Sequence, residues 1–466
     1  MSNIYTHFKD FRLRRNLLFA LCCLILDTAL SAQTKVVQTD AGYTFMRNGQ
    51  PYYVKGVGGE VNMDMAVAIG SNSIRTWGVD NAEQVLDEAH KKGLTVMLGF
   101  WLQHERHGFD YDDKDKVQKQ LNYFKTVIDK YKNHPALLMW GIGNELDLFY
   151  TNPNCWKAVQ DIAKYAHEVD PNHPTSTVTA GLDSNEVQHI KRMAPDIDVY
   201  CVNTYGDIAN VPKNIERYGW AGPYMITEWG VNGYWESPKT NWNVSIEQTS
   251  TEKKQVFYDR YKQYIEPNKN KCLGSYAFLW GAKQEYTETW FGLFSKENLA
   301  TEPVDALEMV FKNEQIAKPA PTVIGMTIDS KDQKSLGALK ADELSSAEVV
   351  AKIGLDMTKT QDDTDGKFVY QWKILAESND KKSGGDAEEE AKEILGLIKG
   401  GKKSRILFRA PRTEGGYRLF VKVFYNNKVA YANIPFWVDK RGENDKQARF
   451  VEFQKTDMDS FNNDKE

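Results

Sequence analysis

Leu137-Leu138-Met139-Trp140-Gly141-Ile142-Gly143-Asn144-Glu145 is an unbroken apolar run that ends abruptly in an amide and a carboxylate. It does not alternate, so it reads as a parallel strand buried on both faces rather than one half exposed to water. Tyr224-Met225-Ile226-Thr227-Glu228-Trp229-Gly230 repeats the design, again apolar and again ending in a glutamate. Six further runs share the apolar character: Tyr52 to Val57, Ser73 to Trp77, Thr95 to Trp101, Thr175 to Thr179, Asp198 to Asn203 and Gly274 to Trp280. Helix candidates separate them, among them Asn81 to Lys92, Lys114 to Tyr131, Cys155 to Val169 and Glu252 to Ile265. Eight strands alternating with helices over 44–312 match the roughly 250 residues of a (β/α)8 TIM barrel better than an open doubly wound sheet. No glycine-rich phosphate loop follows any strand; Gly56-Val57-Gly58-Gly59 has neither the spacing nor the Lys-Ser/Thr that one requires.

Beyond the barrel the pattern changes. Residues 313–321 read as a linker containing Lys318-Pro319-Ala320-Pro321, and from 322 to 440 alternation takes over, as in Phe368 to Ile374, Tyr417 to Tyr425 and Val429 to Val438. Asn426-Asn427 between the last two predicts a hairpin. We therefore expect a small all-β, immunoglobulin-like sandwich, with Trp372 and Trp437 in its core. A charged insertion at 378–403 interrupts it, with room for one helix, and 441–466 is polar enough to read as a disordered tail. At the other end, Lys9, Arg12, Arg14 and Arg15 precede the apolar run Leu17 to Leu26 and the small-residue exit Ala29-Leu30-Ser31-Ala32. Residues 1–32 thus read as a signal peptide, too short to span a bilayer, which predicts export to the periplasm, cell surface or exterior with no stable membrane span after cleavage. Cys155, Cys201 and Cys272, left once Cys22 and Cys23 depart with the leader, are too few for a disulfide framework and read as buried apolar residues.

Composition narrows the function. The 466 residues carry 59 Lys plus Arg against 64 Asp plus Glu, a formal charge of −5 without a basic stripe, so nucleic acid is not an expected partner. Twelve Trp, 23 Tyr and 21 Phe are instead suited to flat apolar surfaces such as a pyranose face.

Catalytic residues of such barrels stand at the C-terminal ends of strands, where the fourth and seventh runs place Glu145 and Glu228 across one pocket. Two facing carboxyl groups are the minimum equipment for breaking a glycosidic bond. Asn144-Glu145 and Thr227-Glu228-Trp229-Gly230 resemble clan A of the glycoside hydrolases, most nearly the barrel domain of family-two β-glycosidases and related β-glucan hydrolases and transglycosylases. Val54-Lys55-Gly56-Val57, Ile74-Arg75-Thr76-Trp77, Asn203-Thr204-Tyr205 and Phe278-Leu279-Trp280-Gly281 add to the likeness. The resemblance implies Glu145 as general acid/base and Glu228 as nucleophile of a retaining double displacement. It further implies that Arg75 and Tyr205 hydrogen bond Glu228, that Asn144 holds the sugar 2-hydroxyl, and that Trp280 stacks beneath the ring. Trp101, Trp229, Trp235 and Trp290, at strand ends or loops, are candidate sugar platforms.

Two clusters look like metal sites and are read otherwise. His104-Glu105-Arg106-His107 spaces its histidines by three rather than the four of a zinc helix, and His104 is taken as shaping a sugar subsite. Asp110-Tyr111-Asp112-Asp113-Lys114-Asp115 has a lysine where calcium would need a ligand, and reads as helix capping. The expectation is a secreted retaining β-glycosidase acting on an oligo- or polysaccharide, a β-linked glucan or related glycan, with no metal or other cofactor. A transglycosylase with the same glutamates and an inactive glycan-binding barrel are the alternatives.

Overall fold

The computed structural model describes residues 33–353 and 368–440, so the expected leader at 1–32 and the tail at 441–466 lie outside the described residues. Eight parallel strands close into a barrel: Val54–Gly58, Ser73–Arg75, Thr95–Phe100, Leu137–Asn144, Thr175–Ala180, Val199–Asn203, Tyr224–Trp229 and Cys272–Ala277. They are called barrel strands one to eight. Each pairs with its neighbour in sequence and the eighth closes on the first, Gly274 lying opposite Val54. Every residue of strands three, four, six, seven and eight is buried, which is why they read as unbroken apolar runs. The strand residues divide between two cores. Met97, Leu138, Met139, Val178, Cys201 and Met225 fill the barrel, while Val96, Leu98, Trp140, Ile142, Val202 and Ile226 face the helices.

The helices follow their caps. Asp113, within the acidic run, accepts a hydrogen bond from the Lys116 amide and starts the helix Lys114–Tyr131. Thr249 and Glu252 form a reciprocal capping box ahead of Ser250–Arg260, which widens into a π-helical turn at Tyr261–Ile265. Cys155, Cys201 and Cys272 are buried free thiols.

Before the first barrel strand, Thr34–Thr39, Gly42–Arg47 and Gln50–Tyr52 form a three-stranded antiparallel sheet. It closes the N-terminal end of the barrel, with Phe45 fully buried among the interior residues Val54, Leu138 and Tyr276. Arg47 donates to the carbonyls of Leu137 at 2.9 Å and Pro135 at 2.5 Å, and the Tyr43 amide donates to Asn270 at 2.7 Å.

The C-terminal region is an immunoglobulin-like two-sheet sandwich. One sheet joins Lys428–Asp439, Gly415–Tyr425 and Val369–Ala376, and the other joins Pro321–Ile328, Leu344–Ile353, Arg405–Arg409 and Ile398–Lys399. Asn426 and Asn427 both take left-handed conformations, φ 49° and 60°, the geometry of a tight two-residue hairpin. The insertion at 378–403 holds no helix. Gly384 and Gly385 sit at φ 65° and 71°, and the charged residues pair with the barrel, Asp386 with Arg106 and Glu390 with Lys296, instead of lining a solvated helix face. Among the described residues no helix is long and apolar enough to cross a membrane.

Candidate active site

Strand four delivers Asn144 and Glu145 through a bend in which Gly143 and then Glu145 itself take positive φ, 81° and 51°. A non-glycine residue in that region is held there by its surroundings, here by the Glu145 amide donating to the Val178 carbonyl at 2.8 Å. Strand seven delivers Glu228, buried, and strand two ends in Arg75, 2% exposed.

Arg75 is the hub. One guanidinium nitrogen donates to Glu228 Oε1 at 3.0 Å and to the Thr227 carbonyl at 2.7 Å, and the other donates to Asn144 Oδ1 at 2.6 Å. The Trp77 indole donates to the same Glu228 oxygen at 2.8 Å, and the Tyr205 hydroxyl to Glu228 Oε2 at 2.9 Å. Glu228 is therefore surrounded by donors, the setting of an anionic acceptor. Glu145 has a different environment. Its one side-chain hydrogen bond comes from Asn203 Nδ2 at 2.8 Å, and that same amide bridges to Asn144 Oδ1 at 3.2 Å. Burial first, then the negative charge of Glu228, push the Glu145 carboxyl up to about 8, the Asn203 hydrogen bond opposing them. A carboxyl whose proton affinity is raised, beside one that accepts from three donors, is the arrangement expected of an acid and its partner.

Both glutamates open into a cavity of about 620 Å³ at the C-terminal end of the barrel. Trp77, Trp101, Phe149, Tyr205, Tyr234, Trp235 and Phe278 give it aromatic walls. Arg75, lying beneath, supports the lining residues Asn144 and Glu228 and packs under Trp77, its guanidinium carbon 5.1 Å from the indole centroid.

The fold brings Glu145, Glu228, Arg75, Asn144 and Tyr205 together and puts Trp101 and Trp235 on the wall, but four other candidates lie elsewhere, among them Trp290, which is 2% exposed behind Tyr234 and donates to the Asn232 carbonyl at 3.0 Å. Trp229 is fully buried against Phe257 and Tyr261, because the residue after Glu228 alternates to the helix side of its strand. Trp280 is 1% exposed, turned edge-on to Phe294 and donating to the Val61 carbonyl at 2.8 Å, so it lines a neighbouring cleft. The aromatic that the eighth strand's exit presents to the cavity is Phe278, two residues earlier. His104 makes no cavity wall. Its Nε2 donates to the Asn144 carbonyl at 2.7 Å, and burial pushes its pKa down to about 4, so a neutral imidazole braces the strand-four bend from behind.

Trp77 and Asn203, which bond the two glutamates directly, are roles that the sequence did not single out, although both sit in quoted strand-end motifs. Ser383, Gly384 and Gly385 of the sandwich insertion also line the cavity, and no local pattern marks them.

Residues 62–235 match the family model for glycosyl hydrolases family 2, TIM barrel domain. A β-glucuronidase of Paenibacillus borealis is 27% identical over 218 residues, covering 40% of this chain and 34% of that protein. A Homo sapiens β-glucuronidase is 23% identical over 215 residues, 39% of this chain and 31% of its own. The chain spans about a third of the length of these curated relatives. Among solved structures, an uncultured Clostridium sp. β-glucuronidase superposes with a TM-score of 0.48 at 19% identity, over 61% of this chain and 54% of that one.

Proposed function

We propose that this family-two, clan A barrel is an exported retaining β-glycosidase that hydrolyses a neutral β-linked glycan. The observation that carries the reading is the unequal pair: a glutamate pushed up to about 8 beside one encircled by three donors. In the first step Glu145 gives its proton to the glycosidic oxygen while Glu228 attacks the anomeric carbon, so the C–O bond breaks and a glycosyl ester forms. Esterification removes the Glu228 charge, the second cause of Glu145's raised proton affinity, so Glu145 becomes the stronger acid and is left ionised. It then takes a proton from water, which attacks the same carbon and releases the sugar with its β configuration restored. Asn144, fixed by Arg75 and Asn203, is placed to hold the ring hydroxyl beside the reacting carbon.

The β-glucuronidase names of the relatives point toward an acidic sugar, but the cavity charge argues for a neutral one. Glu145, Asp207, Glu228, Glu236 and Glu285 line it against a single ammonium, Lys283, itself paired with Glu285 at 3.0 Å. A uronate would bring another negative charge into that field, whereas a glucan unit brings hydroxyls and an apolar face.

The test is product analysis with β-glucans, β-mannans, xylans, β-galactans and an aryl β-glucuronide. Shorter neutral products released first as the β anomer are expected, with Glu228→Gln slower by about a thousandfold or more, ~4 kcal/mol of transition-state stabilisation. Glu145→Ala is expected to keep activity on good leaving groups and to yield a β-glycosyl azide with azide. Longer products would show transglycosylation, turnover of the glucuronide alone would overturn the neutral glycon, and an α anomer would overturn the double displacement.

A further inference from the structure

The insertion of the sandwich crosses the mouth of the barrel. At one side of the mouth Arg106, in the loop after barrel strand three, donates to the Ser383 carbonyl at 2.9 Å and to Asp386 Oδ2 at 3.0 Å, and His107 reaches the same carboxylate at 3.0 Å. At the other, the Tyr234 hydroxyl, after strand seven, donates to the Lys382 carbonyl at 2.7 Å, and Lys283, after strand eight, donates to the Gly385 carbonyl at 2.5 Å. Strands three and seven are four places apart around an eight-strand barrel, so side chains reaching in from opposite sides of the mouth hold residues 382–386 over it as a strut. Its two central glycines lie flat against the barrel. A β-carbon on Gly384 would come within 2.6 Å of the Leu148 side chain and 2.8 Å of the Arg106 guanidinium, and one on Gly385 within 3.0 Å of Lys283 Nζ.

We propose that Ser383-Gly384-Gly385 forms the leaving-group wall of the cavity, so that the C-terminal sandwich selects which aglycone the barrel accepts. The inference rests on the glycosidase reading above. Glu145 must touch the leaving oxygen, and Leu148, against which Gly384 packs, is three residues along the loop that carries it. Phe149, next in that loop, is 67% exposed on the same wall, a free aromatic face beside the strut. A departing sugar is therefore flanked by an aromatic platform and by the exposed Ser383, whereas a small aryl leaving group would not extend to them. Asp386 is the latch: it lies off the cavity wall and holds the strut to Arg106 and His107.

The experiment compares Asp386→Ala and Asp386→Asn with the wild type on two substrates sharing one glycon, an aryl β-glycoside and the matching β-linked oligosaccharide. Releasing the latch is expected to lower kcat/KM for the oligosaccharide about tenfold, mainly through KM, while the aryl glycoside stays within about twofold. Asparagine, which still accepts from Arg106, should restore most of the loss. An equal fall on both substrates would mark Asp386 as merely structural, and an unchanged ratio would leave the strut without a role in selection; either overturns the proposal. A wild type inactive on every β-glycoside would instead remove the glycosidase reading, and this inference with it.

Discussion

Glu145 is held near a pKa of about 8 mainly by burial, with Glu228 adding its charge, and a general acid is useful only while it keeps its proton. The rate should therefore be lost as pH rises. For the free enzyme kcat/KM is expected to fall above an apparent pKa near 8, a value that belongs to the interacting pair rather than to one residue. In Glu145→Ala, assayed on an aryl glycoside with a good leaving group, that alkaline limb should vanish; its persistence would put the acid elsewhere. The glutamates could be found in the sequence because a carboxylate closing an apolar strand contradicts the strand's own pattern. Trp77 and Trp280 show where that signal ends. Both follow a barrel strand and look alike on paper, yet Trp77 donates to Glu228 while Trp280 turns away to Val61. Which way an indole turns after its strand is set by loops from remote parts of the chain.

The barrel strands were legible because burial on both faces leaves continuous apolar runs, and the helices because capping chemistry is local. The N-terminal sheet was not. Thr34–Thr39 is mostly exposed and polar, and one fully buried residue, Phe45, carries its packing. That asymmetry makes a separable prediction. Phe45 plugs the end of the barrel opposite the catalytic strand ends, so Phe45→Ala should cost about 3–5 kcal/mol of stability, by transfer and cavity together. KM and kcat at 25 °C should remain close to wild type. A denaturant melt alongside initial rates checks both, and a kinetic loss without a stability loss would mean that the plug acts on the site rather than on the fold. The strut escaped the sequence for a related reason: its conformation is dictated by Arg106, Tyr234 and Lys283, between 102 and 278 residues away.

Barrel and sandwich meet through buried charge as well as apolar contact, which ties their stabilities together. Lys422 of the sandwich, 3% exposed, lies 3.2 Å from Glu288 and 3.0 Å from Glu297 of the barrel, and Glu288 also pairs with Lys373. Arg418 reaches the Ser245 carbonyl at 3.0 Å, Asn433 donates to Glu247 at 2.8 Å, and Glu247 holds the buried Lys253 at 2.6 Å. Burial opposes ionisation of Glu247 and Glu288, yet their lysine partners win and hold both carboxyl groups below the ordinary glutamate value. A depressed carboxyl contributes stability above its unfolded pKa of about 4.3, and loses it as pH falls through the lower, folded one. The two units are thus expected to unfold in one calorimetric transition at pH 7 that drops steeply in temperature below about pH 4. Glu288→Ala strands Lys373 in the interface, while Lys422 keeps Glu297, and should cost about 3–5 kcal/mol, the penalty for breaking a buried pair from one side. Two resolved transitions at pH 7, insensitive to that substitution, would mean that the sandwich is merely tethered. The strut could not then hold a fixed wall over the cavity, because its position depends on the body that carries it.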